Sequence, residues 1–172
     1  MVWARTKLII YDDIFEPHEE IFINYSGPHP EKLYPRIQEL IPPIFNIPPS
    51  HIQEISFTWE MPSETHIKFN VWWRIIKQMD VHSHIRVDLK LKGFSKNGRG
   101  PATISIDASL ITEYPQDTLI QQSIFYEMGR RFWHALFYHK KRMEYIQIGK
   151  RIIRKFEEEI KKYLEELNAN GS

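Results

Sequence analysis

The chain has 172 residues, of which 42% are hydrophobic and 26% charged, and its formal net charge is +1. This composition is typical of one globular domain and excludes wholesale disorder. Because the net charge is close to zero, it does not indicate binding to nucleic acids or to anionic membranes. The absence of cysteine excludes disulfides, zinc–thiolate sites and thiol nucleophiles, and it favours a reducing cytoplasm.

The first residues lack the apolar run of a signal peptide, and no stretch approaches the roughly 20 apolar residues of a membrane span. We therefore expect a cytoplasmic protein without a transmembrane segment. Abundant Ile, Glu, Lys and Arg indicate a thermophilic source. One domain is predicted over 1–172, with an N-terminal strand or arm (1–19), a helix-containing sheet region (20–115) and a C-terminal helical region (116–167).

The first third of the chain predicts a strand and a short helix. Trp3–Tyr11 alternates loosely and is interpreted as a strand or an ordered arm, and Glu20–Tyr25 as a strand. His29–Glu31 opens a helix, because proline is tolerated in a first turn. Pro42-Pro43 should end that helix, and Ile44–Ser50 should be a packed loop. The apolar stripe of the helix consists of Leu33, Ile37, Leu40 and Ile41.

Four segments then alternate between apolar and polar residues with a period of two, which places each apolar set on one face of a strand. They are Ile55–Met61, Thr65–Ile76, His82–Lys92 and Ala102–Thr112. One apolar and one polar face is typical of an antiparallel sheet covered on one side. The links between these segments are short, and Ser95–Pro101 is a glycine-bearing hairpin loop, so the strands should pair in sequence as a meander.

From Gln116 onward the pattern is helical. Asp117 or Thr118 can cap the start, and Leu119–Tyr138 is strongly apolar. The regular spacing of the apolar residues is interrupted near His139–Met143, where we expect a kink or two separate helices. A regular seam with steps of three and four then predicts a long amphipathic helix; its members are Ile146, Gly149, Ile153, Phe156, Ile160, Tyr163 and Leu167.

The order of elements resembles the helix-grip fold of the START and Bet v 1-like superfamily, which includes polyketide cyclases and lipid-transfer domains. The resemblance covers Glu20–Leu167, and Ile21–Tyr25, Pro30–Ile41 and Ile146–Leu167 take the matching places. It implies an α+β fold in which an antiparallel meander grips the last helix, with a cavity between them for a hydrophobic or amphipathic small molecule. A cyclase- or dehydratase-like enzyme stays open, although no residue can be assigned a catalytic role.

Large aromatic side chains on the inward faces are the candidates for lining such a cavity. They are Phe57, Trp59, Phe69, Trp73, Phe132 and Trp133. The alternative is that they simply fill a core, as inward aromatics usually do.

A basic stretch near the start of the last helix provides a different hypothesis, an RNA- or ribosome-associated adaptor or a contact with an anionic surface. Its cations are Arg130, Arg131, Lys140, Lys141, Arg142, Lys150 and Arg151, followed by Arg154 and Lys155. The alternative is a solvated helix face paired with the acidic residues that follow. The seam itself could also serve a partner helix, which leaves a homodimer open.

Other groups of polar residues are weaker candidates for metal binding or catalysis. His82 and His84 share a strand phase with charged residues, and a neighbouring His66 would complete a metal site only with further ligands. His134 could act as a base, and Glu113 with Asp117 could form a carboxylate pair. Hydrogen bonding, capping and solvation explain all of them equally, so we expect no metal and no cofactor.

Overall fold

The computed structural model describes residues 8–16, 20–63, 65–114 and 138–170. Within them, a six-stranded antiparallel sheet carries two helices against its inner face, and the core lies between the two layers. The predicted α+β class, with an antiparallel meander and a long C-terminal helix, is confirmed.

The strands are longer than the alternating segments. They are β1 (Leu8–Asp13), β2 (Glu20–Pro28), β3 (Ile52–Ser63), β4 (His66–Gln78), β5 (Ser83–Lys96) and β6 (Arg99–Tyr114). The helices are α1 (Leu33–Phe45) and α2 (His139–Asn170), and short 3-10 turns at Pro30–Lys32 and Pro49–His51 precede α1 and β3.

The sheet is a meander closed at one side by the N-terminal strands. β3, β4, β5 and β6 pair in sequence, as predicted, and β3 is the free edge among the described strands. β1 and β2 both pair with β6, β1 along Ser109–Tyr114 and β2 along Arg99–Asp107. The polar residues of β4, β5 and β6 therefore share the outer face, and their apolar partners face the helices.

The hairpin between β5 and β6 is tighter than the sequence suggested. Instead of a loop over Ser95–Pro101, Asn97 and Gly98 alone form the turn, and Lys96 pairs with Arg99. Both turn residues have positive φ, 53° and 74°. This left-handed two-residue turn matches the twist of the flanking strands, which is why pairing continues to its edge.

Helix α1 begins after Pro30, as predicted, but the prediction that Pro42-Pro43 ends it is wrong. The helix continues to Phe45 and ends at Asn46, whose φ of 49° is left-handed and whose N–H bonds to the Pro42 carbonyl. The two prolines remove only hydrogen bonds of the last turn. Burial of Ile41 and Phe45 in the core retains that turn in helical form.

Helix α2 buries its seam against the sheet and α1, which confirms the strongest periodic signal of the sequence. Leu164 is buried where the seam predicted Tyr163, which is half-buried beside Arg36. Phe45 and Phe156 join the two helices, with ring centroids 5.9 Å apart. The helix is continuous from His139, so the expected break coincides with its first turn. The helical pattern predicted from Gln116 to Tyr138 lies outside the described residues up to position 137.

Candidate functional site

Five aromatic rings form a continuous cluster where α1 crosses the free-edge side of the sheet. Tyr34 of α1 stacks on Trp73 with centroids 5.6 Å apart and contacts Phe57 at 5.3 Å and Trp59 at 5.8 Å. Trp59 in turn stacks on Phe57 at 6.0 Å and on Phe69 at 5.6 Å. Such ring pairs contribute about 0.5–1.5 kcal/mol each beyond their burial, so the cluster fixes α1 against β3 and β4.

The position of the rings on β3 depends on a bulge that the alternation pattern conceals. The register shifts between Glu54 and Ser56, so Ile55 is the extra residue and the phase of the strand changes there. As a result Glu54 and Phe57 face the inner side, opposite Trp73 and Val71. Ile55 itself has no register partner on β4 and is 40% exposed.

A groove of about 360 Å³ lies beside this cluster, between α1 and the start of β3. Ile41, Pro42 and Ile52 provide apolar walls, and Gln38 and Glu54 provide polar groups. β3 is the edge of the described sheet, and Phe57 on it is 49% exposed. The arrangement joins an apolar groove to an accessible aromatic surface.

Trp73 borders the groove and carries a buried polar atom without a hydrogen-bond partner in the described part of the chain. The residue is 1% exposed, yet its indole Nε1–H has no hydrogen-bond partner among the described residues. A buried donor left unpaired costs about 1–3 kcal/mol. An acceptor that came within hydrogen-bonding distance of this N–H would remove that cost.

A short polar network lies at the same place. The Tyr34 hydroxyl donates to Glu54 Oε2 at 3.2 Å and accepts from Gln38 Nε2 at 2.9 Å. Burial raises the pKa of Tyr34, and the nearby Glu54 carboxylate raises it further. The hydroxyl therefore stays protonated and available as a donor across the ordinary pH range.

The structure brings together four of the six aromatic residues proposed to line a ligand site. Phe69 and Trp73 are almost fully buried, at 2% and 1% exposure, whereas Phe57 and Trp59 reach the surface. Phe132 and Trp133 lie outside the described residues. In the described part of the chain α2 packs directly on the inner face, and the groove borders α1.

Sequence reasoning missed the polar members of this site. Tyr34 and Gln38 are one helical turn apart beside the buried Leu33 and Ile37, a spacing that placed them next to the core but assigned them no partner. Glu54 precedes the bulge, and strict alternation would have directed it to the other face. Only the register of β3 on β4 identifies it.

A larger groove, of about 550 Å³, crosses the outer face of the sheet. Its members include Glu60, Lys68, Lys92 and Phe94, all of them exposed. Exposed side chains keep their polar groups hydrated, so nothing in this groove demands a ligand. The inner groove, with its buried and unpaired donor, is the stronger candidate.

The cations of the proposed polyanion site occupy different environments. Arg142 is 1% exposed and its Nη2 donates to Asp12 at 2.5 Å, and Lys141 lies 3.2 Å from Asp80. Lys140 and Arg151 are exposed, Lys150 is half-buried, and Arg154 and Lys155 are exposed farther along α2. Arg130 and Arg131 lie outside the described residues.

The carboxylate of Asp80 holds the start of α2, a contact that the sequence did not predict. Asp80, in the turn between β4 and β5, accepts the hydroxyls of Tyr138 at 2.7 Å and Tyr145 at 2.9 Å, and two backbone N–H groups of its own turn at 2.8 Å. Partial burial opposes its ionisation, but these hydrogen bonds outweigh burial and hold the pKa of Asp80 well below its usual range. The carboxylate ties the turn to the helix.

The histidines do not converge. His84 lies on the outer face of β5, where burial lowers its pKa, His82 precedes that strand, and the His66 ring contacts Phe94. Among the described residues no group of three or more metal-ligating side chains forms a metal site. His134 and Asp117 lie outside the described residues, so the structure does not test His134 as a base or the pairing of Glu113 with Asp117.

Comparisons with known proteins do not place the chain in a family. No protein-family model matches the chain, and no curated protein resembles it significantly. No helix in the described part of the chain combines the length and the apolarity needed to cross a membrane.

Proposed function

We propose that the protein binds a hydrophobic or amphipathic small molecule in the groove between α1, β3 and β4, as a carrier or receptor. The observation that supports this most is the buried, unpaired indole N–H of Trp73 at an apolar groove. Binding sites of this kind are mostly apolar with a few placed polar groups. The order of elements resembles that of helix-grip binding proteins, which supports a small-molecule role but does not locate the site in this groove.

The ligand should place an acceptor oxygen against Trp73 and its apolar part along Ile41 and Ile52. A single neutral hydrogen bond contributes about 0.5–1.5 kcal/mol, which corresponds to about a two- to twelvefold difference in affinity. Trp73→Phe retains a ring to stack on Tyr34 but removes the donor. Trp72→Phe is the matched control, because Trp72 is the next residue on β4 and faces the outer side.

The test has two parts. Native mass spectrometry and solvent extraction of the purified protein should reveal a copurified molecule of this class. Isothermal titration with 1-decanoylglycerol, a neutral amphiphile with one ester carbonyl, should then show weaker binding to Trp73→Phe than to the Trp72→Phe control. Equal affinity of both variants, or no binding to the unaltered protein, would refute the proposal.

A second candidate is polyanion binding by the solvent face of α2, supported by the exposure of Lys140, Arg151, Arg154 and Lys155. The test is the double charge reversal Lys140→Glu with Arg151→Glu, because both side chains are exposed. Arg142 is buried and would not report on a surface contact. Binding of single-stranded RNA that falls steeply with salt and is lost in this variant would support the candidate. Binding that is absent, or that the reversal leaves unchanged, would remove it.

A further inference from the structure

The carboxylate of Glu54, at the mouth of the groove, indicates which charge a bound ligand should have. Glu54 and Trp73 are direct partners in the β3–β4 register, so their Cβ atoms lie about 5 Å apart on the same face. A ligand whose acceptor meets the Trp73 indole therefore has its neighbouring group beside Glu54. The chemistry of that second group is set by what surrounds the carboxylate.

No described cation forms an ion pair with Glu54. Lys77, a cation of β4, donates its ammonium to the Phe45 carbonyl at 2.8 Å. Arg36 of α1 pairs with Glu39 at 3.4 Å and lies over the Tyr163 ring. Among the described residues, the negative charge at the mouth is thus left without a partner of opposite sign.

The aromatic rings beside Glu54 complement a cation as well. Tyr34 donates to the carboxylate and lies 5.3 Å from the half-exposed Phe57 ring. Ring faces attract ammonium and quaternary ammonium groups through their quadrupole. A carboxylate and accessible ring faces together form a surface suited to a positive head group.

We propose that the natural occupant is a cationic amphiphile, with an acceptor oxygen at Trp73, an ammonium-type head at Glu54 and an apolar body in the groove. This inference rests on the proposed small-molecule function. An exposed ion pair and an exposed cation–π contact together predict about a five- to tenfold preference for a cationic over a neutral head. Added salt should reduce that preference, because the carboxylate is exposed.

The experiment compares three ligands with the same ten-carbon acyl chain: decanoylcholine, 1-decanoylglycerol and N-decanoylglycine, which are cationic, neutral and anionic. Each is titrated calorimetrically below its micelle concentration into the unaltered protein, Glu54→Gln and Glu60→Gln. Glu60 lies on the same strand, but it is paired in register with Lys68 on the outer face and serves as the matched control.

We expect decanoylcholine to bind the unaltered protein and Glu60→Gln most tightly, and Glu54→Gln to retain only the smaller part of that preference that comes from the cation–π contact. Binding without a head-group preference, or a preference that is as large in Glu54→Gln as in the unaltered protein, would overturn the inference and leave the proposed function standing. Failure of all three compounds to bind would overturn both.

Discussion

Replacing Asp80 tests how the long helix is fastened to the sheet. In Asp80→Asn the amide oxygen can still accept the two backbone N–H groups of the turn, but the second acceptor, which serves Tyr138 and Tyr145, becomes a donor. Hydrogen bonds to a charged group contribute about 1.5–3 kcal/mol each, and rotation of the hydroxyls recovers part of that loss. We expect a loss of about 2–3 kcal/mol of unfolding free energy for Asn, and about 4 kcal/mol for Ala, which also removes the turn acceptor.

Urea unfolding monitored by circular dichroism measures these losses through the midpoint and slope. Glu144→Gln is the control, since Glu144 is exposed near the start of the same helix and should change stability by less than about 0.5 kcal/mol. Equal stability of Asp80→Asn and the unaltered protein would refute the role assigned to the carboxylate.

The pH dependence provides a second, independent check. The folded-state pKa of Asp80 is depressed, so its contribution is fully present above the unfolded-state pKa of about 3.9 and is lost as the pH falls toward the folded value. The stability difference between the unaltered protein and Asp80→Asn should therefore be constant at neutral pH and shrink below about pH 4. A difference that grows on acidification would contradict this sign.

Three further substitutions test the packing and the turn, each by urea unfolding. Phe156→Ala removes a fully buried ring between the layers and should cost about 3–5 kcal/mol, whereas Met143→Ala, at a site that is 40% exposed on the same helix, should change stability by less than about 1 kcal/mol. Gly98→Ala should cost about 1–2 kcal/mol, because its φ of 74° is left-handed. Gly149→Ala should destabilise the folded protein, although alanine normally favours a helix, because its Cβ would lie 2.6 Å from Ile14 Cδ1. The second substitution Ile14→Val removes that methyl group and should recover part of the lost stability.

Local periodicity accounts for what the sequence predicted correctly. Alternation over β4, β5 and β6 identified the inner set, and the three-four seam identified the buried side of α2, because both patterns report directly which side chains leave water. The Asn97-Gly98 pair likewise marked the hairpin, although its tightness was underestimated. Each of these features is decided within a few neighbouring residues.

Features that depend on distant partners could not be predicted. The bulge at Ile55 is defined only by the register of β3 on β4. The continuation of α1 through Pro42 depends on the burial of Phe45 against Phe156, which lies more than a hundred residues away. The partners of Asp80 come from α2, so nothing near Asp80 in the sequence indicates that its carboxylate is held ionised.

The environment of the Trp73 indole is the most direct test of the proposed groove. Protein labelled with nitrogen-15 at tryptophan gives one indole N–H signal per tryptophan, and Trp73→Phe identifies the relevant one. Titration with decanoylcholine should move the Trp73 signal downfield, as a new acceptor reaches its N–H, while the Trp72 signal on the opposite face stays in place. A Trp73 signal that does not move at saturating ligand would contradict the account.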